Sequence, residues 1–326
     1  MSGQKRPSQF TIDDSPLTMY NSLKIGTRES QLAIWQATLV KDLLIRQGIE
    51  SELVFIKSEG DIDLKTPLYE MGVQGIFTKT LDAALLNKKI DIAVHSMKDV
   101  PTQLADGITQ AAVLKRGNYR DILIVNGQLS MNNDVLHSPL TIGTSSIRRK
   151  AQWLHRYPNH TIENLRGNVN TRLKKLAESN WHGAIFAAAG LERINLRPKN
   201  AVELEWMLPA PAQGTIMIVC REEDSNAQEK CLVLNDRSTA LCTKIERDFL
   251  RTLLGGCSTP ISALAEIEED ELFFRGNIFS GDGKQKLETE KILPVYKADI
   301  IGIEAAKELL QNGAQEIADN IRNETK

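Results

Sequence analysis

The chain has 326 residues, of which 41% are hydrophobic and 25% charged, a composition that predicts a globular protein of two or three domains. Its 40 basic and 42 acidic residues leave a formal net charge of −2. This balance argues against a protein whose main partner is nucleic acid, although a local basic site remains open.

Short apolar runs alternate with helical patterns through most of the chain. The runs predict strands at residues 22–26, 53–56, 90–94, 122–125, 140–143, 161–165 and 184–188. Between the first two, Leu32, Trp35, Leu39 and Leu43 recur at helical spacing, with Ser30 as N-cap. Further helices are predicted at residues 77–86, 146–155 and 170–179. Such alternation is typical of an α/β fold with parallel or mixed sheets covered by helices.

The last part of the chain has a different pattern. Residues 208–214 are rich in Pro and Gly and predict a linker, and an apolar strand at 216–220 follows. A long amphipathic helix is expected at 238–254. Three strands of an antiparallel sheet and a closing helix complete the prediction, at residues 262–266, 272–277, 287–295 and 298–312. We therefore expect a small α+β unit at the C-terminus.

Neither a membrane segment nor a secretory signal is predicted. No run of about 18 apolar residues occurs, and the polar residues 1–21 lack an apolar core and are expected to form a mobile extension. The cysteines form no C-x-x-C pair, which favours reduced thiols in a cytosolic protein over a disulfide scaffold or a metal site. They are Cys220, Cys231, Cys242 and Cys257.

Cys257 differs from the other cysteines in its surroundings. It follows two glycines and precedes Pro260, so we expect it on an exposed turn, whereas Cys220 ends an apolar run. An exposed thiol suggests chemistry. No His or Asn lies nearby in the sequence to form a protease-like pair, although a spatial pair stays open.

Six arginines fall at or after the carboxyl ends of predicted strands, where ligands bind in open α/β sheets. They are Arg28, Arg148, Arg149, Arg166, Arg172 and Arg193. Small polar residues around them, such as Thr144 and Ser146, leave backbone N–H groups for an anion. Guanidinium groups bind carboxylates bidentately. The cluster favours a site for a polyanionic small molecule, and the alternative is a set of surface salt bridges.

The segment HSMKDVP at residues 95–101 joins an apolar strand directly to Lys98 and Asp99, and Pro101 then ends the strand. A carboxylate at the end of a buried strand is a candidate for stabilising a cation. The alternative is an ordinary Lys–Asp surface pair.

Eight segments, taken in order, resemble the porphobilinogen deaminase family. They are GTRESQLAIWQA (26–37), SEGD (58–61), HSMKDVP (95–101), GTSSIRR (143–149), LRGNVNTRL (165–173), AAAGLERI (187–194), PAQG (211–214) and GGCSTPI (255–261). The resemblance extends from about residue 23 to about residue 317.

The resemblance implies two domains related to type II periplasmic binding proteins and a small α+β domain that carries a cofactor. The first domain would be discontinuous, with residues 22–116 and 213–234. The second would span 117–212 and the third 235–326. Hinges would lie near residues 115–121 and 208–214.

The resemblance also implies the chemistry. A dipyrromethane cofactor would be attached to Cys257 through a thioether, and four porphobilinogen molecules would be joined to it with release of ammonia. Asp99 would be the catalytic carboxylate, which stabilises the cationic azafulvene. Cofactor binding maps to Ser30, Ser96, Lys98, Asp99, Thr144, Ser146, Arg148, Arg149 and Arg172. Substrate binding maps to Arg28, Arg166, Arg193 and Gln36.

A cytosolic monomer without a metal, membrane or nucleic-acid partner is expected on the same grounds. Two other hypotheses stay open. One is a non-catalytic two-domain protein that binds a polycarboxylate, which leaves the place of Cys257 unexplained. The other is a nucleic-acid-binding regulator, which the net charge and the α/β alternation disfavour.

Overall fold

A computed structural model describes residues 22–57, 78–127, 138–253 and 259–324. The strands are β1 (Leu23–Thr27), β2 (Ser51–Phe55), β3 (Ile92–Ser96), β4 (Ile108–Val113), β5 (Asp121–Val125), β6 (Thr141–Gly143), β7 (Thr161–Glu163), β8 (Gly183–Ala187), β9 (Val202–Glu203), β10 (Ile216–Arg221), β11 (Ile261–Glu268), β12 (Glu271–Phe279) and β13 (Lys286–Pro294). The α-helices are α1 (Gln31–Arg46), α2 (Lys79–Leu86), α3 (Ile147–Arg156), α4 (Val169–Glu178), α5 (Ala188–Glu192), α6 (Ser225–Leu232), α7 (Arg237–Thr252), α8 (Ile301–Leu309) and α9 (Gln315–Glu324).

Two five-stranded sheets share one topology. The first has the order β2-β1-β3-β10-β4 and the second the order β7-β6-β8-β5-β9. In each, three parallel strands are followed by an antiparallel strand, which is β10 in the first sheet and β5 in the second. The chain therefore crosses from the first sheet to the second after β4 and returns after β9. We call the first sheet with its helices the first unit and the second sheet with its helices the second unit.

Burial follows from this topology. Every residue of β10 is buried, as expected for an interior strand with helices on both faces, and its sequence is a nearly continuous apolar run. The N-caps that the sequence predicts also form. Ser30 accepts a hydrogen bond from the N–H of Ala33 at the start of α1, and Ser146 caps α3.

The third unit is an antiparallel sheet, β11-β12-β13, packed against α7 and α8. Phe249 of α7 meets Phe274 of β12 edge to face at 5.3 Å between ring centroids. The two helices approach closely at Gly302, where an added Cβ would lie 2.1 Å from the carbonyl oxygen of Ile245. This close packing fixes α7, the helix that also contacts the first unit.

The predicted α/β class with a smaller α+β unit is confirmed, and most predicted strands agree within two residues. The prediction missed β4, β9, α5, α6 and α9. It extended β7 by two residues, and it placed one helix at 298–312 where a 3₁₀ turn, Val295–Ile300, precedes α8. The exact domain boundaries stay a prediction. Within the described ranges, no helix is both long and apolar enough to span a membrane. The predicted extension at 1–21 and the SEGD segment lie outside those ranges.

Candidate active site

A cleft of about 230 Å³ lies where the first and second units face each other. Its walls come from the segments that follow β1, β3, β7 and β8, from the start of α3 and from the residues before β10. The carboxyl ends of the parallel strands of both sheets therefore meet here, as expected for a ligand site in an α/β protein.

The cleft is strongly basic. Among the described residues that line it, the only carboxylate is Asp99, and there are six cations. The cations are Arg28, Lys98, Arg149, Arg166, Arg172 and Arg193. Since the whole chain has a net charge of −2, this concentration is local and is suited to a ligand with several negative charges.

Asp99 lies on a short turn that follows β3. Met97–Asp99 form a single 3₁₀ turn, which the N–H of Met97 ties to the carbonyl of Thr215 at 3.0 Å. The Asp99 side chain is exposed to the cleft and accepts no hydrogen bond from any described residue. Its charge opposes the decrease that burial causes in the pKa values of Lys98 and Arg172. The carboxylate is therefore free to interact with a ligand.

Lys98 lies beside Asp99 at the base of the cleft. Its Nζ donates to Oε1 of Gln213 at 3.3 Å. Burial lowers the pKa of Lys98 to about 8, with Asp99 opposing the decrease and Arg149 adding to it. A lysine in this range is still mostly charged at neutral pH, and a bound anion would favour its protonated form.

Two arginines of the cleft are held in similar surroundings. Burial lowers the pKa of Arg172 to about 10, with Arg149 adding to the decrease, and burial lowers that of Arg193 to about 10 as well. Arg172 donates its Nε to the carbonyl of Gly167 at 2.7 Å. Both remain cations and are partly desolvated, and neither donates to a carboxylate of a described residue, so an anionic ligand would compensate their charge.

Beneath the cleft, Asp121 holds the two arginines of the GTSSIRR segment. Its Oδ1 accepts from Nε and Nη2 of Arg149 at 3.0 and 2.7 Å, and its Oδ2 accepts from Nη2 of Arg148 at 2.7 Å. Gln213 donates to Oδ1 at 2.9 Å. Burial raises the pKa of Asp121, but Arg148 and Arg149 outweigh it and the pKa falls to about 2. Asp121 is not among the site residues predicted from the sequence, in which its only signal is a charge at the start of an apolar strand.

Of the predicted site residues, nine line the cleft: Arg28, Ser30, Ser96, Lys98, Asp99, Arg149, Arg166, Arg172 and Arg193. Four others lie behind the wall. Gln36 is buried and donates to Oγ of Ser96 at 2.9 Å. The N–H of Ser146 donates to Oγ1 of the buried Thr144 at 3.2 Å, and Arg148 donates to the carbonyl of Leu208 at 2.8 Å as well as to Asp121. These four support residues of the wall.

The predicted cofactor residue, Cys257, lies outside the described residues. The other three cysteines are buried in apolar cores. Burial raises the pKa of Cys220 to about 11 and the pKa values of Cys231 and Cys242 to about 12 each. These thiols are therefore protonated and unreactive at neutral pH.

Two segments cross between the sheets and run side by side next to the cleft, and we call residues 114–120 the first crossing and residues 204–215 the second. The N–H of Gly117 in the first crossing donates to the carbonyl of Gly214 in the second at 3.1 Å. Arg193 donates to that same carbonyl at 2.6 Å, and its guanidinium lies over the ring of Trp35 at 5.9 Å. Arg193 thus connects the second unit with a crossing and with α1 of the first unit.

A buried ion pair joins these crossings to the third unit. Glu246 of α7 accepts both ends of the Arg116 guanidinium, at 2.6 and 3.1 Å. It also accepts from the N–H groups of Ala212, at 2.6 Å, and Ala265, at 2.8 Å. Glu246 is completely buried, so both crossings and the third unit meet at one carboxylate without access to solvent.

Comparison with known families gives two matches that together cover most of the chain. The family model described as porphobilinogen deaminase, dipyromethane cofactor binding domain, matches residues 23–229. The one described as porphobilinogen deaminase, C-terminal domain, matches residues 240–311.

Comparison with solved structures finds proteins of low sequence identity. The methionine-binding protein MetQ is 14% identical, with a TM-score of 0.42, over 66% of this chain and 90% of that one. A putative methionine-binding lipoprotein from Bacillus subtilis is 11% identical, with a TM-score of 0.39, over 67% and 92%. An ancestral arginine-binding protein bound to arginine is 13% identical, with a TM-score of 0.37, over 65% and 91%.

Proposed function

Since the chain belongs to the porphobilinogen deaminase family, a transferase family of tetrapyrrole biosynthesis, we propose that it joins four porphobilinogen molecules head to tail. Each condensation releases ammonia, and hydrolysis finally releases the linear tetrapyrrole, hydroxymethylbilane. We propose that the protein acts in the cytosol as a monomer.

The observation that carries this proposal is the charge of the cleft. Six cations and a single carboxylate line it among the described residues. A porphobilinogen unit has an acetate and a propionate group, so a chain of such rings is a polyanion. Charge-assisted hydrogen bonds contribute about 1.5–3 kcal/mol each, and arginine binds carboxylates bidentately. The cleft therefore suits a ligand of linked pyrrole acids.

The residues present also fit a dipyrromethane cofactor. When bound, that group supplies the pyrrole carbon to which the first substrate is joined. Its carboxylates would be held by the residues next to Asp99 and on the opposite wall, namely Ser30, Ser96, Lys98, Arg149 and Arg172. Thr144, Ser146 and Arg148 would support that wall from behind. The attachment point would be Cys257, because the other three thiols are buried and protonated.

Asp99 would act on the substrate when ammonia leaves. The C–N bond of the protonated aminomethyl group breaks, ammonia departs with the bonding electrons, and the positive charge passes from the ammonium nitrogen to the pyrrole. An exposed carboxylate that no described hydrogen bond engages can stabilise that charge and can accept the pyrrole N–H. The remaining cations, Arg28, Arg166 and Arg193, would bind the carboxylates of the incoming substrate, and Gln36 would support Ser96 from behind.

The test of attachment is the intact mass of the purified protein. The wild type should be heavier than its sequence by two linked pyrrole units, and Cys257→Ala should carry no adduct. Cys242→Ala, which removes a buried thiol of the third unit, is the matched control and should keep the adduct. If the wild type gains no mass even after addition of porphobilinogen, the polycarboxylate-binding hypothesis becomes the stronger one.

The test of the catalytic role is Asp99→Asn. This variant should keep the adduct, whereas its turnover of porphobilinogen should fall by about 10²–10³-fold, the loss seen when one group that stabilises transition-state charge is removed. Asp106→Asn changes an exposed carboxylate outside the cleft lining and should leave turnover unchanged. Normal turnover by Asp99→Asn would refute the assigned role.

A further inference from the structure

The turn that carries Asp99 is held by a side chain of the third unit. Arg247 lies on α7, and its Nη1 donates to the carbonyl oxygens of Val100 at 2.9 Å and Met97 at 3.4 Å. Its Nη2 donates to the carbonyl of Pro101 at 2.5 Å. One guanidinium therefore binds carbonyls on both sides of Asp99 in the sequence.

This turn needs a partner for geometric reasons. Met97–Asp99 form only one 3₁₀ turn, so the carbonyls at its end lack the next helical turn as a donor. A cationic side chain that donates to such carbonyls compensates for that loss. Since the Asp99 carboxylate accepts no hydrogen bond from a described residue, its position depends on the backbone of the turn. The partners of the backbone, Thr215 at the start of the turn and Arg247 at its end, thus determine where the turn places the carboxylate.

Arg247 is itself firmly anchored. The preceding residue, Glu246, is completely buried and binds Arg116 and the N–H groups of Ala212 and Ala265. The helix is also packed closely against α8 at Gly302. The guanidinium is therefore presented from a rigid element that contacts both crossings, and α7 ends at Thr252, five residues before Cys257 in the sequence.

We infer that Arg247 is a positioning residue, which fixes the Asp99 turn relative to the third unit and hence to the reacting pyrrole. The inference rests on the proposed role of Asp99 and adds to it a residue that the sequence analysis did not select. Arg247 does not line the cleft, so its effect on the reaction passes through the backbone of the turn.

The test compares Arg247→Lys with Arg251→Lys. Lysine keeps the positive charge but cannot bind several carbonyls as a planar fork. Arg251 lies on the same helix, is exposed, and pairs with Asp248 at 2.7 Å, so its replacement is the matched control. Arg247→Lys should keep the adduct and the KM for porphobilinogen, whereas kcat should fall by up to about 10²-fold, as expected for a small misplacement of a catalytic group. Arg251→Lys should match the wild type.

A second measurement does not depend on activity. Amide hydrogen exchange should be faster in Arg247→Lys at Met97 and Val100, whose N–H groups form the hydrogen bonds of the turn, and unchanged in the sheet of the third unit. For Arg247→Ala, guanidinium added at a non-denaturing concentration should restore part of kcat, and ammonium should not.

Three results would overturn the inference. The first is a kcat of Arg247→Lys that equals the kcat of the wild type. The second is a loss of kcat that merely follows a loss of folded protein or of adduct. The third is unchanged exchange at the turn. A wild-type protein that makes no product would instead refute the proposed function, and the exchange measurement would then decide alone whether Arg247 holds the turn.

Discussion

Replacing Asp121 by Asn should destabilise the protein more than replacing any exposed carboxylate. Asp121 is completely buried and binds Arg148 and Arg149 through three hydrogen bonds of 2.7–3.0 Å. Asparagine keeps the shape, but it removes the charge that compensates both guanidinium groups. Its amide also turns an N–H donor toward side chains that can only donate.

The magnitude follows from the burial of the partners. Removing one partner of a buried ion pair costs about 3–5 kcal/mol, because the remaining charge is left uncompensated. At roughly 2–4 °C per kcal/mol for a domain of 150–250 residues, the thermal transition should fall by about 6–20 °C. Asp282, by contrast, lies on the surface and accepts hydrogen bonds from the Ser280 hydroxyl and the Lys284 N–H, which the amide oxygen of asparagine can also accept. Its replacement therefore removes only a surface ion pair with Lys284, which contributes about 0–1 kcal/mol.

The assay is urea denaturation at neutral pH, followed by tryptophan fluorescence, for the wild type, Asp121→Asn and Asp282→Asn. The pKa of Asp121 is about 2 in the folded protein, below its ordinary value of 3.8. Its contribution is therefore complete above about pH 4 and is lost as the pH falls toward 2, so the difference from Asp121→Asn should narrow over that range. If Asp121→Asn is no less stable than Asp282→Asn at neutral pH, the assignment of a buried charge cluster is wrong.

Three further predictions concern the cleft and its crossings. In the cofactor-free Cys257→Ala protein, the affinity for porphobilinogen, measured by calorimetry, should fall as the pH rises through about 8, where Lys98 loses its proton. Adding Lys98→Arg should abolish this pH dependence, and the same decrease in both proteins would contradict the role of Lys98. Gly214→Ala should lower the free energy of unfolding, measured in urea, by more than Gly48→Ala does. Both glycines have positive φ, but of the two only Gly214 would bring a Cβ within 2.8 Å of a backbone oxygen, and equal losses of stability would refute this reasoning. Glu246→Gln should lower the free energy of unfolding by about 3–5 kcal/mol, whereas Glu178→Gln, which breaks an exposed pair at 3.7 Å, should change it little; similar losses would mean that the buried pair is not important.

Much of the fold could be predicted because apolar runs and caps are local signals. The fully buried β10 is a continuous apolar run, and Ser30 stands directly before an amphipathic repeat. By contrast β4, with the sequence ITQAAV, is an edge strand whose polar and small residues give no clear period. The short α5 was missed because five residues are too few for a helical repeat.

The sequence also indicated where the basic residues of the cleft gather, because parallel strands bring their carboxyl ends to one edge. It could not separate ligand-facing arginines from those with internal partners. Arg148 and Arg149 are adjacent in the sequence, yet only Arg149 lines the cleft, and Asp121, which binds both, lies 27 residues before Arg148. Arg247 was likewise hidden, because its partners are backbone carbonyls about 150 residues earlier.

The arrangement of the crossings bears on how one cleft could serve successive condensations. Each added ring would bring two more carboxylates, whereas a cleft of about 230 Å³ is smaller than the 300–1,000 Å³ typical of sites for drug-sized ligands. The first and second units are joined by two adjacent crossings, tied by the bond from Gly117 to Gly214. Glu246 binds both crossings to the third unit, so α7 is anchored where the two sheets are joined. Arg247 on that helix also holds the Asp99 turn of the first unit, whereas the second unit contacts the third through Gln152, which donates to Oγ of Ser262 at 3.0 Å, and through His155, whose Nδ1 lies 2.8 Å from the carbonyl oxygen of Gly283. A movement of the second unit that makes room for the growing chain would therefore have to break these two contacts, while the Arg247 contact holds the first and third units together.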